Sequence, residues 1–226
     1  MNRQHIVFLT GAGMSAESGI STFRDSGGLW EGYDPNVVAS IEGWRQFPDH
    51  VQDFYNQRRA QLAEVKPNAG HKTIAELETD YDVTVITQNV DNLHERAGST
   101  RVIHLHGELT KACNETKTEV IEIGTRAIQK GEKATDGSRL RPFIVWFGEA
   151  VPLIEKAAKI VSTADIVVIV GTSMQVYPAA GLIHYAKSNT SIYLIDPAVV
   201  NVASNVTIIK EKATQGLAIF KCQYLP

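Results

Sequence analysis

Short, unbroken runs of aliphatic and β-branched residues recur along the chain, separated by polar or glycine-containing segments. Continuous hydrophobicity is typical of strands that are buried on both faces, as in a parallel sheet, whereas half-exposed strands alternate apolar and polar positions. We therefore predict a parallel sheet whose strands include residues 6–9, 83–86, 102–105, 166–170 and 192–195.

Helix signals lie between these hydrophobic runs. Pro67 and Asn68 precede apolar residues at helical spacing, and Pro178 occupies a first-turn position before residues 179–186. Because strands and helices alternate along the chain, the pattern predicts the α/β fold class.

Two segments interrupt the alternation. Residues 34–65 carry aromatic and leucine side chains at helix-like spacing, which predicts a helical insertion. Residues 110–140 are polar and glycine-containing, which predicts a small excursion from the sheet. We expect the two insertions to form a smaller lobe within a single domain of residues 1–226. The large lobe is then expected to comprise residues 1–33, 66–109 and 141–226.

Composition narrows the class of protein. The 226 residues are 43% hydrophobic and 21% charged, which is typical of a globular domain. The net charge of -3 argues against electrostatic binding to nucleic acid or to a membrane surface. No apolar run approaches the ~20 residues that span a bilayer, and the N-terminus lacks a signal-peptide pattern. We expect a cytoplasmic monomer whose two cysteines are free thiols.

Candidate chemistry begins directly after the first predicted strand. Residues 10–20 read TGAGMSAESGI, and glycines at such a position let the backbone turn tightly and approach a pyrophosphate. A purely structural turn is the alternative interpretation. No acidic residue follows ~20 positions later to hold a ribose, so the motif departs from that of the dehydrogenases.

Four further motifs follow. Three of them, all but the motif at 145–149, lie at predicted strand ends, where α/β sheets bind their ligands. The four motifs are TQNVDNLH at 87–94, IHLHG at 103–107, VWFGE at 145–149 and GTSMQVYP at 171–178. Alternation points His104 and His106 to one side of a strand, and histidine is a natural general base at neutral pH. Each motif alone is also compatible with a helix cap or with core packing.

Taken together and in this order, the five motifs resemble the sirtuin family of NAD-dependent protein lysine deacylases, and the resemblance extends from Thr10 to Pro197. It implies a Rossmann-like parallel sheet with a smaller lobe made from two insertions. It also implies NAD as the cofactor and acylated lysine side chains of proteins as substrates, with nicotinamide and O-acyl-ADP-ribose as products.

The resemblance assigns roles to individual residues. His106 is expected to be the catalytic base, and Asn89 is expected to orient a water or a ribose hydroxyl. The residues expected to contact NAD are Gly11, Ala12, Gly13, Ser15, Phe23, Arg24, Gln88, Asn89, Asp91, Gly171, Thr172, Ser173, Asp196 and Ala213. The peptide is expected to add as a strand along Val145, Phe147, Gly148, Glu149 and Val176.

A narrower signal lies in the helical insertion. Tyr55 and Arg58 are three residues apart and therefore share a helix face, where a phenol and a guanidinium can bind a carboxylate with several donors. The pair is similar to the Tyr-x-x-Arg pair of the sirtuin subgroup that removes succinyl, malonyl or glutaryl groups. We therefore predict acidic acyl substrates, with acetyl as a further one and with Ala39 leaving room for the acyl tail. A solvated arginine beside a packed tyrosine is the alternative.

The chain departs from the family pattern at two points. Most sirtuins carry two CxxC zinc pairs, but residues 110–140 contain Cys113 alone, and one thiolate cannot hold a structural zinc. We therefore expect no zinc and a small lobe held together by packing, with contributions from Val120, Ile121, Ile123 and Ile128. The second departure is Leu194, which occupies a position where many relatives place an asparagine against adenosine.

Two other functions remain open at this point. One is an ADP-ribosyltransferase or NAD hydrolase on the same scaffold, in which a side chain or water takes the ribose. The other is a noncatalytic NAD-sensing module, which would retain NAD binding after His106→Ala and have no turnover to lose.

Overall fold

The computed structural model describes residues 3–20, 32–172, 177–198 and 204–226. Its strands are β1 (His5–Thr10), β2 (Asp82–Thr87), β3 (Val102–His104), β4 (Gly107–Cys113), β5 (Val120–Glu122), β6 (Arg141–Ile144), β7 (Ile166–Val170), β8 (Ser191–Ile195) and β9 (Val206–Ile209). Its helices are α1 (Ala12–Ala16), α2 (Pro35–Val38), α3 (Ile41–Gln46), α4 (Pro48–Glu64), α5 (Ala69–Leu77), α6 (Leu93–Ala97), α7 (Ile154–Val161) and α8 (Ala213–Gln223). A 3-10 helix covers Ala179–Tyr185.

Six parallel strands form the large sheet in the order β3-β2-β1-β7-β8-β9. All five predicted strands are present, and the α/β class is confirmed. The sixth strand, β9, was not predicted, because its middle residues Thr207 and Ile208 are exposed and its pattern is not continuously apolar. The strand order reverses between β1 and β7, which is the point where open α/β sheets bind ligands.

Helices cover both faces of this sheet, which explains why its strands are apolar at every position. Ile6 and Phe8 of β1 pack on one side with α5 and α8, in a cluster that includes Phe220. The intervening Val7 and Leu9 pack on the other side with α7 and the 3-10 helix. Successive side chains of a strand point to opposite faces, so burial on both faces requires an unbroken apolar run.

The predicted helix starts are largely correct. The Asn68 side chain accepts a hydrogen bond from the backbone N–H of His71, and the His71 ring accepts one from the Asn68 N–H, so a reciprocal capping box begins α5. Pro178 precedes a helix as expected, but that helix is of the 3-10 type and ends at Tyr185.

The smaller lobe contains its own sheet, in which β4 pairs antiparallel with β5 and β6. This sheet begins at Gly107 and ends at Ile144, and so extends on both sides past the predicted 110–140 boundaries. The reason is that the ladder pairs Gly107 directly with Ile144 at the lobe junction. The helical insertion packs against this excursion, where the Gln52 and Asn56 side chains both donate to the Ile128 carbonyl.

The small-lobe core differs from the prediction at one position. Ile123 and Ile128 are buried with Leu140, and Ile121 packs beside them. Val120 is 43% exposed, so its predicted core role is wrong. Val120 lies on the short edge strand β5, where alternation turns it outward.

Polar turns also hold this lobe together. Asn114 accepts from the Glu119 N–H and donates to Asp136. The Glu119 carboxylate accepts both the N–H and the hydroxyl of Thr135. These bonds join the turn after β4 to the loop before β6.

Cys113 is buried, and burial raises its pKa to about 11, so the group is a neutral thiol near pH 7. Within the described ranges, no three His, Cys, Asp or Glu side chains are grouped so as to hold a metal ion. The same residues contain no helix long and apolar enough to cross a membrane. The absence of zinc remains a prediction.

Gly107→Ala is expected to destabilise the protein strongly. Gly107 has a φ of +87°, and a Cβ there would lie 2.1 Å from the Phe143 carbonyl oxygen. The left-handed backbone and the overlap together predict a loss of about 3 kcal/mol or more in the free energy of unfolding, measured by urea denaturation. Gly131→Ala is the matched control, since its φ is +78° but no atom lies within 4 Å of the added Cβ. It should lose only about 1 kcal/mol. Equal losses in both variants would contradict the steric argument.

Candidate active site

Two glycine-containing loops meet at the point where the strand order reverses. The Gly11 N–H donates to the Val170 carbonyl at 3.0 Å, and the Gly13 N–H donates to the Gly171 carbonyl at 2.8 Å. A Cβ on Gly13 would lie 2.7 Å from the Gly171 Cα, so neither loop has room for a side chain at this contact. The loops after β1 and β7 therefore form one continuous backbone surface, from which Ala12 begins α1.

A buried polar cluster lies beside these loops. The Ser15 hydroxyl donates to the Asp91 carboxylate at 2.9 Å, and the Asn89 amide donates to the Ser15 hydroxyl and to the Gly11 carbonyl. Burial raises the pKa of Asp91, although bonds from the Leu93 N–H and Ser15 act against that rise. The structure thus brings the hydroxyl of the motif at 10–20 together with the amide and the carboxylate of the motif at 87–94.

Gln88 joins the third loop to the same place. Its backbone N–H donates to the Thr10 carbonyl, and its side-chain amide donates to the Thr172 hydroxyl at 3.1 Å. The segments that follow β1, β2 and β7 therefore converge at one edge of the sheet.

His106 is half-buried and lies next to Gln88, where these three segments meet. Its Nδ1 is 3.1 Å from the Gln88 carbonyl oxygen, which can only accept, so Nδ1 carries the proton. Burial lowers the pKa of His106 and outweighs the opposing effect of the Gln88 hydrogen bond. The imidazole is therefore neutral at pH 7, and its Nε2 keeps the lone pair that a general base needs.

Two further residues predicted to contact NAD, Asp196 and Ala213, lie near the C-terminal end of the chain. Asp196 is buried at the end of β8 and accepts from the Ala198 N–H at 2.8 Å. Ala213 is buried in the first turn of α8, in the same core cluster as Met14. Leu194 is buried within the sheet core. Phe23, Arg24, Ser173 and Val176 fall outside the described residues.

Residues 145–149, the segment predicted to bind the substrate peptide, are hydrogen-bonded to the helical insertion. The Phe147 N–H donates to the Ala39 carbonyl at 2.8 Å, and its carbonyl accepts from the Ile41 N–H at 3.0 Å. The Val145 N–H donates to the His106 carbonyl, which connects this segment directly to the histidine. The Phe147 side chain is 57% exposed, and Gly148 follows with a φ of +89°.

Glu149 supports this segment from inside the protein. Its carboxylate accepts two bonds from Arg141, one from Lys117 and one from the Trp146 N–H. The Arg141 guanidinium lies 3.8 Å from the centre of the Trp146 ring. The carboxylate is therefore fully engaged within the protein. Arg141 and Lys117 were not predicted, since neither lies in a motif that singles out a paired cation.

The two residues predicted to recognise an acidic acyl group both lie on α4. Tyr55 is 1% exposed, and its hydroxyl accepts from the Trp146 indole N–H at 2.8 Å. Burial raises the pKa of Tyr55, so the phenol is neutral and keeps its O–H. Arg58 is half-buried, with its guanidinium 5.5 Å from the centre of the Phe54 ring. Tyr55 is thus tied to the segment that carries Phe147 and Glu149.

A parallel sheet with glycine loops at its switch point, converging polar side chains and a neutral histidine is typical of α/β enzymes that bind a nucleotide. The model of the Sir2 family matches residues 11–178, and the chain belongs to the Sir2, or sirtuin, family. The predicted family and its Rossmann-like fold are confirmed.

Two similar bacterial proteins are each named NAD-dependent protein deacylase. The one from Bacteroides thetaiotaomicron is 53% identical over 236 residues, covering 99% of this chain and 99% of the relative. The one from Helicobacter pylori is 52% identical over 216 residues, covering 95% of this chain and 94% of the relative.

Solved structures show the same similarity. A Sir2 homologue in complex with NAD superposes with a TM-score of 0.86 at 37% identity, covering 95% of this chain and 87% of that one. A Sir2 protein with a deacetylated peptide and 3′-O-acetyl ADP-ribose superposes with a TM-score of 0.81 at 29% identity, covering 97% and 93%.

Glu149→Gln is expected to weaken the small-lobe junction. Burial alone raises the pKa of Glu149, but the bonds from Arg141 and Lys117 outweigh it and hold the pKa below its usual range. Removing this charge leaves the 1% exposed Arg141 unpaired, so we expect a loss of about 3 kcal/mol in unfolding free energy at pH 7. The contribution is present above the unfolded-state pKa and is lost as pH falls through the lower folded-state pKa. The variant and the wild type should therefore converge in acid.

Glu132→Gln provides the control, because its ion pair with Arg126 lies at the surface. It should lose less than about 1 kcal/mol. The argument would fail if urea denaturation gave the same loss for both variants, or if the loss at Glu149 persisted unchanged in acid.

Proposed function

We propose that this chain is an NAD-dependent protein lysine deacylase that favours acidic acyl groups such as succinyl and malonyl, with acetyl as a weaker substrate. The observation that carries the proposal is the protonation state and placement of His106. A neutral imidazole with a free Nε2 stands between the Ser15–Asn89–Asp91 cluster and the segment that begins at Val145. Family membership and the named relatives support the same reaction.

The residues present fit NAD. The backbone surface formed by Gly13 and Gly171 suits the approach of a pyrophosphate, and Asp91 offers an acceptor to a carboxamide N–H. NAD, when bound, supplies the ribose carbon from which nicotinamide leaves and to which the acyl oxygen is transferred. Asn89 then orients a water or hydroxyl at that end, while Gly11, Ala12, Gln88, Thr172, Asp196 and Ala213 are proposed to contribute the other contacts.

The role proposed for His106 follows from its hydrogen bond. Nδ1 is held by the Gln88 carbonyl, so Nε2 is the atom that accepts a proton. The His106 carbonyl accepts from Val145, so an acyl-lysine that enters along residues 145–149 approaches the imidazole of the same residue. The N–H and carbonyl of Phe147 are already bonded to Ala39 and Ile41, so strand addition along this segment would use main-chain groups at Gly148. Main-chain bonds of this kind accept many peptide sequences.

The acidic preference is proposed for Tyr55 and Arg58. The neutral phenol has an O–H to donate in addition to the bond it accepts from Trp146, and the guanidinium carries a permanent charge. Both groups lie on α4, and Tyr55 is bonded to Trp146 of the segment proposed to bind the peptide. A carboxylate at the end of an acyl chain would receive charge-assisted hydrogen bonds there, whereas an acetyl group would receive none.

Arg58→Met tests this preference. Loss of a charge-assisted hydrogen bond worth about 1.5–3 kcal/mol predicts a fall of roughly 10- to 100-fold in kcat/KM on a succinylated peptide. The value on the matched acetylated peptide should stay within about twofold, because acetyl makes no ionic contact. Arg45→Met, at a 68% exposed arginine of the same insertion, is the control and should change neither value. An equal loss on both peptides would contradict the acid-recognition role.

The assay should follow nicotinamide and freed lysine together, with His106→Ala alongside. Equal amounts of both products in the wild type, and neither in the variant, are expected for a deacylase. Nicotinamide without free lysine would instead identify the transferase or hydrolase, and NAD binding with no turnover would identify a sensor.

The pH dependence of kcat/KM provides a separate prediction. His106 must be neutral to accept a proton, and its pKa is lowered from the usual value of 6.5. Activity should therefore be retained through pH 7 and fall as pH drops below that lowered pKa, in step with the His106 titration followed by NMR. His5→Gln, at a histidine bonded to Thr84 and Thr163 far from the site, should leave this acid limb unchanged. An acid limb that does not follow the His106 titration would contradict the assignment.

We further propose that the protein acts as a cytoplasmic monomer on acylated lysines of proteins, without nucleic-acid or membrane partners. Its net charge of -3 and the absence of long basic runs in the sequence support this expectation.

A further inference from the structure

A second histidine connects the surface to the predicted nicotinamide end of the site. His104 is 8% exposed, and its Nδ1 lies 3.0 Å from the Asn89 carbonyl oxygen. Its Nε2 lies 2.7 Å from the Glu95 carboxylate, on α6. Glu95 is 39% exposed, so the three residues form a bridge from solvent to the turn that carries Asn89 and Asp91.

The contacts of this ring define its protonation state. A backbone carbonyl and an ionised carboxylate can only accept hydrogen bonds, so both ring nitrogens must donate and His104 is an imidazolium. Burial alone would lower the pKa of His104, but the hydrogen bond and charge of Glu95 outweigh it and raise the pKa.

Other ionisable groups near the bridge come from several elements. Asp91 follows β2, His94 is on α6, and Glu108 and Lys111 are both on β4. Glu108 adds to the rise in the His104 pKa, and Lys111 stabilises the ionised Glu95. His94 is buried, with its pKa well below the usual value, so it is neutral. Near neutral pH, His104 is therefore the buried cation that acts on Asp91, and its charge lowers the pKa of that carboxyl.

His104 and His106 hold consecutive carbonyls of one turn. His106 donates to the Gln88 carbonyl, and His104 donates to the Asn89 carbonyl. The same turn directs the Asn89 side chain to Ser15 and to the Gly11 carbonyl. Two rings on one side of the strand end, one neutral and one charged, thus fix the backbone beneath these amides.

We propose that His104, held by Glu95, is a positioning residue that fixes the turn of residues 88–91 for the nicotinamide end of NAD and places a positive charge beside Asp91. This inference rests on the proposed function, because it takes Asn89 and Asp91 as the nicotinamide contacts. His104 acts through these residues and takes no proton from the substrate.

Glu95→Gln is the most informative variant. The glutamine can still accept from Nε2, and its partly exposed position tolerates the exchange, so the change removes the charge with little change in shape. Without that charge His104 loses its second proton at lower pH, typically by one pKa unit or more for a lost ion pair. The bond to Asn89 remains in the neutral ring, whereas the positive charge beside Asp91 is lost.

The experiment compares wild type, Glu95→Gln, His104→Asn and the control His5→Gln over about pH 6 to 9 on one acylated peptide. His104→Asn keeps a short donor toward Asn89 but has no charge. We expect both bridge variants to raise the KM for NAD by about tenfold at pH 8 and to leave the peptide KM within about twofold. The alkaline limb of kcat/KM for NAD should move down by about one pH unit in Glu95→Gln. This alkaline limb should be absent from the pH profile of His104→Asn. The profile of the control His5→Gln should match that of the wild type.

The proposal is overturned if both bridge variants keep the wild-type KM for NAD and the wild-type alkaline limb. It is also overturned if kcat alone falls, in proportion to the folded fraction, as for a structural residue. Nitrogen NMR of the wild-type ring is independent of any variant: two protonated nitrogens at pH 7 are expected, and a neutral ring would refute the bridge. Failure of the proposed function would instead appear in the wild type, as no NAD-dependent release of lysine.

Discussion

The direct backbone contact between the loops after β1 and β7 is the constraint on which the site depends. Gly13 donates to Gly171, and a Cβ at either position would overlap the other loop. The sheet order reverses between these two strands, where connections to opposite faces of the sheet leave a crevice. Without the backbone contact, the two loops would diverge from one another there. Their close approach provides a surface against which Gln88 and Asn89 can bond, so the amides, the hydroxyl and the carboxylate converge there.

The smaller lobe is joined to this surface through a chain of specific contacts. The chain passes from His106 directly into β4, and the His106 carbonyl also binds the returning segment at Val145. From that segment, Trp146 donates to Tyr55 on α4, and Glu149 binds Arg141. His106, the segment of residues 145–149 and helix α4 are therefore parts of one bonded unit. In the smaller lobe, apolar packing and the Asn114–Asp136 bond join segments that are distant in sequence.

The hydrophobic pattern and the local motifs of the sequence were sufficient to predict most strands of the large sheet and the start of α5. The buried strands follow from unbroken apolar runs, and the start of α5 follows from the Asn68 cap. The same approach failed where burial is partial. β9 is half-exposed, the small sheet depends on a ladder between Gly107 and Ile144, and Val120 faces solvent on an edge strand. Pairing between distant segments is not visible in the sequence of either segment alone, so the limits of the small sheet could not be predicted.

Residue types and their order along the chain were enough to recognise the family and to predict a nucleotide site with His106 as its base, because glycines and amides at strand ends are local features. The chemical state of those residues was a matter of tertiary structure. His104 and His106 are two residues apart in one motif, yet one ring faces a carboxylate and the other does not, so one is charged and the other neutral. The protonation state of a histidine depends on its burial and on the partners that folding brings to it. The positions of the two histidines in the sequence determine neither the burial nor the partners.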